Sequence, residues 1–158
     1  MQADYLVLAD AAAVAEGKIY ILGAGWDNVL TQTLPTTLTA AVAMLIRIPW
    51  AETNEEHIIG LDIHDADGHS ILPKDTGPLR GKLNVGRPAN IEVGEDQVLP
   101  LTIGLNGTAI ERLGRYVIVL ELDGKEAARA PFRVKQMQVL QAVPGQQIDE
   151  PPATPKAS

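Results

Sequence analysis

Short runs of Val, Ile, Leu, Thr and Tyr alternate along the chain with turn-forming residues such as Asp67-Gly68, Asn106-Gly107 and Asp123-Gly124. Turn signals this frequent leave little room for helices of ordinary length. The apolar runs predict eight or nine strands, at about residues 4–14, 18–30, 38–48, 57–65, 69–72, 80–86, 98–106, 115–122 and 126–136. We therefore expect an all-β fold, a single antiparallel β-sandwich of the immunoglobulin-like or jelly-roll-like kind.

The last two runs predict a hairpin whose register depends on its loop. A two-residue turn at Asp123-Gly124 would send the apolar side chains of the two strands to opposite faces of the sheet. A three-residue loop, residues 122–124, instead pairs Tyr116 with Ala130 and keeps the apolar side chains on one face. We expect the three-residue loop.

The stretch "ILGAGWDN", residues 21–28, resembles the start of a dinucleotide-binding loop. That fingerprint requires a third glycine where this chain has Asn28, and a helix whose N-terminus meets the pyrophosphate. The residues that follow, "VLTQTLPTT", are β-branched and then include a proline. The pattern favours a strand in which the glycines permit close backbone approach or a bulge.

A second stretch, "IHDADGHS" at residues 63–70, holds four candidate metal ligands: His64, Asp65, Asp67 and His69. It is not a calcium-binding EF-hand loop, because its glycine directly follows the second aspartate and no glutamate arrives at the required spacing. A four-residue loop would face the two histidines toward each other and allow chelation.

A three-residue loop at residues 66–68 instead pairs Ile63 with Ile71 and His64 with Ser70. This register keeps the apolar residues together and directs the two histidines to opposite faces. We expect it, and we predict no metal site.

The charge of the chain narrows the possible partners. Its 158 residues carry 13 basic and 20 acidic side chains, for a net charge of −7. This charge disfavours binding to nucleic acid or to anionic membranes. The first residues lack a basic region and place Asp4 and Asp10 within an apolar run, which argues against a secretory signal, so we expect a cytoplasmic protein.

Catalytic residue types are scarce. The chain has no cysteine, and its only serines are Ser70 and Ser158, while the three histidines all lie between positions 57 and 69. Neighbouring carboxylates such as Glu55 and Glu56 point apart on a strand, so they make a poor acid–base pair. We predict that the protein is not an enzyme and needs no cofactor.

The two tryptophans allow two interpretations. Trp26 and Trp50 each end a predicted strand and precede a polar loop. If both strand ends lie at the same edge, the rings form an aromatic patch suited to a protein or sugar partner. Alternatively, each ring fills one end of a core that has only one phenylalanine, Phe132.

Composition divides the chain into two parts. Residues 1–138 contain the predicted strands and form the expected β-sandwich domain, whereas residues 139–158 are rich in proline and poor in large apolar side chains. Such a segment buries too little apolar surface to order itself, so we predict a disordered tail.

Several stretches in combination resemble a family of small bacterial proteins, common in actinobacteria, that is defined only as a domain of unknown function. They occur in order within residues 3–136: "ADYLVLADAAAVAEGKIYILGAGWD", "RIPWAETNEEH", "DADG", "NVGRP", "LGRYVIVLELDG" and "PFRV". The resemblance implies a compact β-sandwich and supplies no activity. Similar proteins often carry an acidic residue after the Pro-Trp pair, where this chain has Ala51.

These observations lead to one functional hypothesis and one alternative. We expect a non-catalytic module that binds a protein partner, or a second copy of itself, through strand edges and the loops around Trp26, Asp27, Trp50 and Arg87. The alternative is a small-molecule or carbohydrate-binding domain that uses an aromatic patch.

Overall fold

The computed structural model describes residues 1–75 and 77–137, and the predicted tail at residues 139–158 lies outside them. Within these ranges the protein is all-β, as predicted, with eleven strands, one 3-10 turn at Trp50–Glu52 and no α-helix. The strands are β1 (Gln2–Ala15), β2 (Lys18–Ala24), β3 (Asn28–Thr31), β4 (Thr36–Leu38), β5 (Ala41–Ile48), β6 (Glu56–His64), β7 (Leu79–Asn84), β8 (Gln97–Gly104), β9 (Thr108–Ile110), β10 (Gly114–Leu122) and β11 (Lys125–Gln136).

The eleven strands form three sheets, whereas the sequence predicted eight or nine strands in a single sandwich. A four-stranded sheet has the order β2-β1-β5-β8, a five-stranded sheet has the order β3-β11-β10-β6-β7, and β4 pairs with β9. The strand number exceeds the prediction because two apolar runs, 18–30 and 38–48, are each broken in two, and because β9 arises where no run was predicted. The strand predicted at 69–72 is wrong, since only an isolated bridge at Ser70 forms there. The prediction of a wholly antiparallel fold is wrong for β3, which pairs in parallel with β11.

An aliphatic core joins the two larger sheets. Alternate residues of β5 point into it, and those of β10 meet them from the other sheet, which follows from the two-residue period of a strand. Its fully buried members include Met44, Ile46, Ile48, Ile63, Ile118 and Leu120. Aliphatic residues dominate because only 4% of the chain is aromatic.

The four-stranded sheet curls strongly. Ala9 and Ala43 alternate with core residues and therefore point to the opposite face, yet both are 0% exposed. The two outer strands of this sheet, β2 and β8, also contact each other. Small alanine side chains on this face allow the close approach.

The turn between β10 and β11 differs from the predicted loop. Leu122 pairs directly with Lys125, so Asp123 and Gly124 alone form the turn. Both have positive φ angles, 52° and 74°, which is the geometry of a two-residue hairpin whose twist matches its strands. The expectation of a three-residue loop was therefore wrong.

A β-bulge restores the apolar pairing that this turn would otherwise break. One extra residue of β11, Ala127, lies between the paired positions, so that Leu120 faces Ala128. As a result Tyr116 faces Phe132, and the two rings stack with their centroids 5.4 Å apart and their planes at 19°. The bulge thus keeps the apolar side chains of both strands on one face, which is the result expected of the three-residue loop.

Candidate interaction surfaces

The glycine stretch at the end of β2 is part of a strand, as predicted. Gly23 has φ +66°, and a Cβ added there would lie 2.1 Å from Oδ2 of Asp10 on β1. After Ala24 the chain crosses to the other sheet as β3, and no helix begins there. The close approach expected of these glycines is confirmed at Gly23, where the neighbouring group is a carboxylate rather than a small side chain. It is wrong for Gly25, where an added Cβ would meet nothing within 4 Å.

Trp26 and Asp27 lie in the crossing between β2 and β3. The Trp26 ring is half-buried and packs against the main core, and its Nε1 has no hydrogen-bond partner among the described residues. The carbonyl of Asp27 accepts a 2.7 Å hydrogen bond from the backbone N–H of Arg133. This bond starts the parallel pairing of β3 with β11.

Trp50 and Arg87 form a second, separate unit. The Arg87 guanidinium carbon lies 4.3 Å from the centroid of the Trp50 ring. Its Nη2 donates to the Trp50 carbonyl at 2.9 Å, and its Nε donates to the hydroxyl of Thr53. Thr53 is buried and donates in turn to the Trp50 carbonyl at 2.7 Å. Arg87 therefore fastens the 3-10 turn to the segment that follows β7.

The two tryptophans lie at opposite ends of the five-stranded sheet. Trp26 precedes β3, whose first residue, Asn28, pairs with Arg133 of β11. Arg133 in turn pairs with Arg115 at the beginning of β10. Trp50 belongs to the turn that is held by His57, beside the end of β10. Because β10 has nine residues, these ends are about 25 Å apart. The condition for a joint aromatic patch is not met, and the role of either unit in binding stays a prediction.

His57 anchors the turn that carries Trp50. The buried ring lies with Nε2 2.8 Å from the Glu52 carbonyl and Nδ1 2.8 Å from the Asp123 carboxylate. The Glu52 carbonyl, followed by Asp123, raises the pKa of His57 above its ordinary value, against the effect of burial. The pKa of Asp123 is lowered, first by the backbone N–H of Ile58 and then by His57.

The loop of the "IHDADGHS" stretch has the predicted register. His64 bridges to Ser70, and the N–H of Ile71 donates to the Ile63 carbonyl at 2.9 Å. His64 thus points away from His69 and contacts Asp62 at 2.9 Å. Ser70 donates to the same carboxylate at 2.6 Å, so the serine bonds to the aspartate and not to an imidazole that would accept its proton.

Three of the four candidate ligands nevertheless come together. Ligand atoms of Asp65, Asp67 and His69 lie within 4.8 Å of one another at the surface. Oδ1 of Asp65 also accepts the backbone N–H groups of the other two residues, at 3.0 and 2.9 Å. These bonds, with that of His69 foremost, lower the pKa of Asp65. The cluster is thereby explained by the turn that it closes.

This turn forms one wall of the hairpin cleft, a cleft of about 570 Å³ between residues 65–74 and 109–116. Acidic groups in its lining include Asp65, Asp67 and Glu111, and cations include Lys74, Arg112 and Arg115. Its floor includes Tyr116, whose hydroxyl donates to the Arg112 carbonyl at 2.7 Å. The volume is within the range of small-ligand sites.

The end of the β1–β2 hairpin exposes several large apolar side chains that no motif in the sequence singles out. We define the β-arm as residues 10–23, the part of this hairpin beyond the last pairing of β1 with β5, at Ala9–Ala41. Only Ala12 and Ile19 of the β-arm are even half-buried. Its exposed large apolar side chains are Val14, Tyr20, Ile21 and Leu22.

The free edge of the β-arm carries little protection against pairing. β2 is the last strand of its sheet, and residues 19–24, "IYILGA", contain no charge and no proline. Charges, prolines and bulges are the usual devices that prevent an edge from pairing with another strand. The sequence shows the uncharged run. The exposure of both faces of the β-arm, however, follows from the start of β5 at Ala41, because β5 does not pair with β1 beyond Ala9.

These features define an all-β domain with an exposed β-arm and a polar cleft. A family model described as a family of unknown function, DUF6941, matches residues 4–135, and the chain belongs to this family. The resemblance noted in the sequence to a domain of unknown function is thereby confirmed.

Other comparisons add no function. No curated protein matches the chain. Among solved structures it is similar to the Pseudomonas fluorescens alkylpurine DNA glycosylase AlkC bound to DNA with an abasic site analog, at 11% identity and a TM-score of 0.36. The alignment covers 82% of this chain but 30% of the glycosylase chain, and so weak a likeness carries no argument about fold or activity. In the part of the chain that the structure describes, no helix is long and apolar enough to cross a membrane.

Proposed function

We propose that the protein is a non-catalytic β-sandwich interaction module and that its contact surface is the β-arm, which pairs with the β-arm of a second copy. The observation that carries this proposal is the exposure of apolar side chains on a two-stranded ribbon. Tyr20 is 54% and Leu22 71% exposed. An isolated two-stranded hairpin is at best marginally stable in water, so a strand added at the edge of β2 would stabilise it.

The charge distribution allows a second copy to approach at this surface, although it opposes contact elsewhere. Two chains of net charge −7 repel each other over most of their surfaces. The edge segment 19–24 is uncharged, and the β-arm as a whole carries Asp10, Glu16 and Lys18, a net charge of −1. Antiparallel pairing of two such edges places no like charges directly opposite within residues 19–24.

The test is sedimentation velocity of the full chain over a range of concentrations, at low and high salt. We expect a concentration-dependent dimer that persists at high salt, because apolar contact is not screened. Leu22→Lys should leave a folded monomer, since this side chain is already exposed. Val93→Lys is the matched control, because Val93 is 88% exposed in a loop and the substitution makes the same change in charge.

Two outcomes would contradict this proposal. A wild-type chain that sediments as a monomer at every concentration excludes pairing between copies. A dimer that survives Leu22→Lys, with circular dichroism unchanged, places the contact on a different surface.

A second candidate function rests on the hairpin cleft. Its opposed acidic and basic groups fit a small zwitterion such as a free amino acid better than an apolar ligand. Ligand-observed NMR with the common amino acids should then detect saturable binding to the wild-type protein. Arg112→Gln should weaken this binding, whereas Arg80→Gln, outside the cleft lining, should not. Equal spectra with and without protein would exclude this candidate.

A further inference from the structure

The outer face of the five-stranded sheet carries two arginines directly opposite each other. Arg115 of β10 pairs with Arg133 of β11, and both alternate with the core residues Tyr116 and Phe132. They therefore point away from the core, on the same face. Like charges directly opposite in a sheet are destabilising, because their Cβ atoms are only about 5 Å apart.

A third cation and a polar side chain complete this arrangement. Lys135 lies two residues beyond Arg133 on the same face of β11, and Asn28 of β3 pairs with Arg133. Asn28, Arg133 and Arg115 thus form one row across three adjacent strands. Together with Asp27 these residues line a groove of about 230 Å³, which we call the cationic groove.

The described part of the chain does not neutralise the cations of the groove. Within residues 1–75 and 77–137, Arg115, Arg133 and Lys135 make no ion pair. Elsewhere on the surface Arg47 and Arg129 each contact a carboxylate. Three positive charges and the single negative charge of Asp27 leave the groove with a net charge of +2 (3 − 1 = 2).

We propose that the cationic groove binds a phosphate group, as a free ion or as a phosphomonoester. Two opposed guanidinium groups present planar donors that match phosphate oxygens, and the lysine adds a point charge. The net charge of +2 matches a phosphate dianion better than a single carboxylate. A long polyanion is disfavoured by the net charge of −7 on the whole chain. This inference is independent of the pairing of β-arms. It shares Arg115 with the lining of the hairpin cleft, whereas Arg133 lines only the cationic groove and therefore separates the two sites.

The first probe is inorganic phosphate, titrated into the full chain by isothermal calorimetry at pH 7.5 and constant ionic strength. Phenyl phosphate is the second probe. We expect saturable binding of phosphate, and an equal or higher affinity for phenyl phosphate if the natural ligand is an organic monoester. Tighter binding of the inorganic ion would point to free phosphate.

Matched variants locate the site. Arg133→Gln and Arg115→Gln should each weaken phosphate binding about tenfold, the loss expected for one charge-assisted hydrogen bond. Arg129→Gln removes the same charge from the same face of β11, but its guanidinium contacts Glu126, so binding should be unchanged. In phosphate-free buffer of low ionic strength, Arg115→Gln should unfold at the same or a higher temperature than the wild type, because repulsion is relieved.

Either of two results would overturn the inference. One is the absence of saturable binding of both probes to the wild-type chain. The other is an equal loss of affinity in Arg129→Gln, which would mean that phosphate responds only to overall charge. Leu22→Lys, which tests the β-arm, should keep its phosphate affinity, so the two proposals fail separately.

Discussion

The ring of His57 lies 2.8 Å from the carboxylate of Asp123 and joins β6 to the turn between β10 and β11. Its other nitrogen faces the carbonyl of Glu52, so the protonated ring satisfies both acceptors. The same contacts hold the turn of Trp50. Protonation of one buried side chain therefore affects both the stability of this end of the sheet and the placement of the predicted binding residue.

Stability should depend on pH through this pair. Because the pKa of His57 is raised, its stabilisation is complete below its unfolded value of 6.5 and is lost as pH rises through the folded pKa. The lowered pKa of Asp123 acts oppositely, and its contribution is lost as pH falls below 3.8 toward the folded pKa. In urea unfolding, His57→Gln should cost about 2 kcal/mol at pH 5.5 and less at pH 8.5. An equal cost at both pH values would contradict a charged His57.

Gly23 should be sensitive to the smallest possible side chain. Gly23→Ala places a methyl group against the Asp10 carboxylate at a positive φ, and we expect a loss of about 2 kcal/mol or more in the free energy of unfolding. Asp10→Ala in the same chain should recover part of this loss by removing the clash but not the strain. Gly104→Ala is the control, since its added Cβ meets nothing within 4 Å and its φ is ordinary. Equal costs for the two glycine substitutions would contradict the close approach.

The stacked pair of Tyr116 and Phe132 should dominate the packing of the hairpin formed by β10 and β11. Phe132→Ala should lower the free energy of unfolding by about 3 to 5 kcal/mol, because it opens a cavity beside the other ring. Tyr116→Phe keeps the ring and removes only the hydrogen bond to Arg112, so its cost should be about 1 kcal/mol. Thermal and urea unfolding measure the cost of each substitution. A larger cost for Tyr116→Phe than for Phe132→Ala would mean that the bulge does not align the rings.

Arg87 should fix the turn at Trp50 through its shape as well as its charge. Arg87→Lys keeps the charge but loses the planar stack and the fork of two donors, so amide exchange in residues 50–54 should accelerate. Arg80→Gln, a substitution outside this unit, is the control. Unchanged exchange in Arg87→Lys would show that neither the planar stack nor the fork of donors is needed to hold the turn.

Much of the fold follows from local sequence patterns. The alternation of apolar residues located most strands, and the pairing of Ile63 with Ile71 correctly set the loop at residues 66–68. The same logic failed at Asp123-Gly124, because it assumed that both strands were regular, whereas Ala127 forms a bulge. A bulge changes the parity of a strand without a strong signal of its own.

The candidate sites were less predictable because they depend on topology. Whether Trp26 and Trp50 meet is decided by which strands are neighbours, and local patterns do not report this. The cationic groove likewise needs the pairing of Arg115 with Arg133, which are 18 positions apart (133 − 115 = 18). In the sequence, the cations of the groove look like ordinary exposed charges at alternate strand positions. Only the register of the bulged hairpin shows that they lie side by side.

The parallel pairing of β3 with β11 has a consequence for synthesis of the chain. Asn28 pairs with Arg133, so the edge of the five-stranded sheet closes only when the last described strand has been translated. Until then β3 has no partner strand, and the part of the apolar core that Ala130, Phe132 and Val134 cover stays open. Such late, long-range closure is typical of slow folding and of transient need for a chaperone.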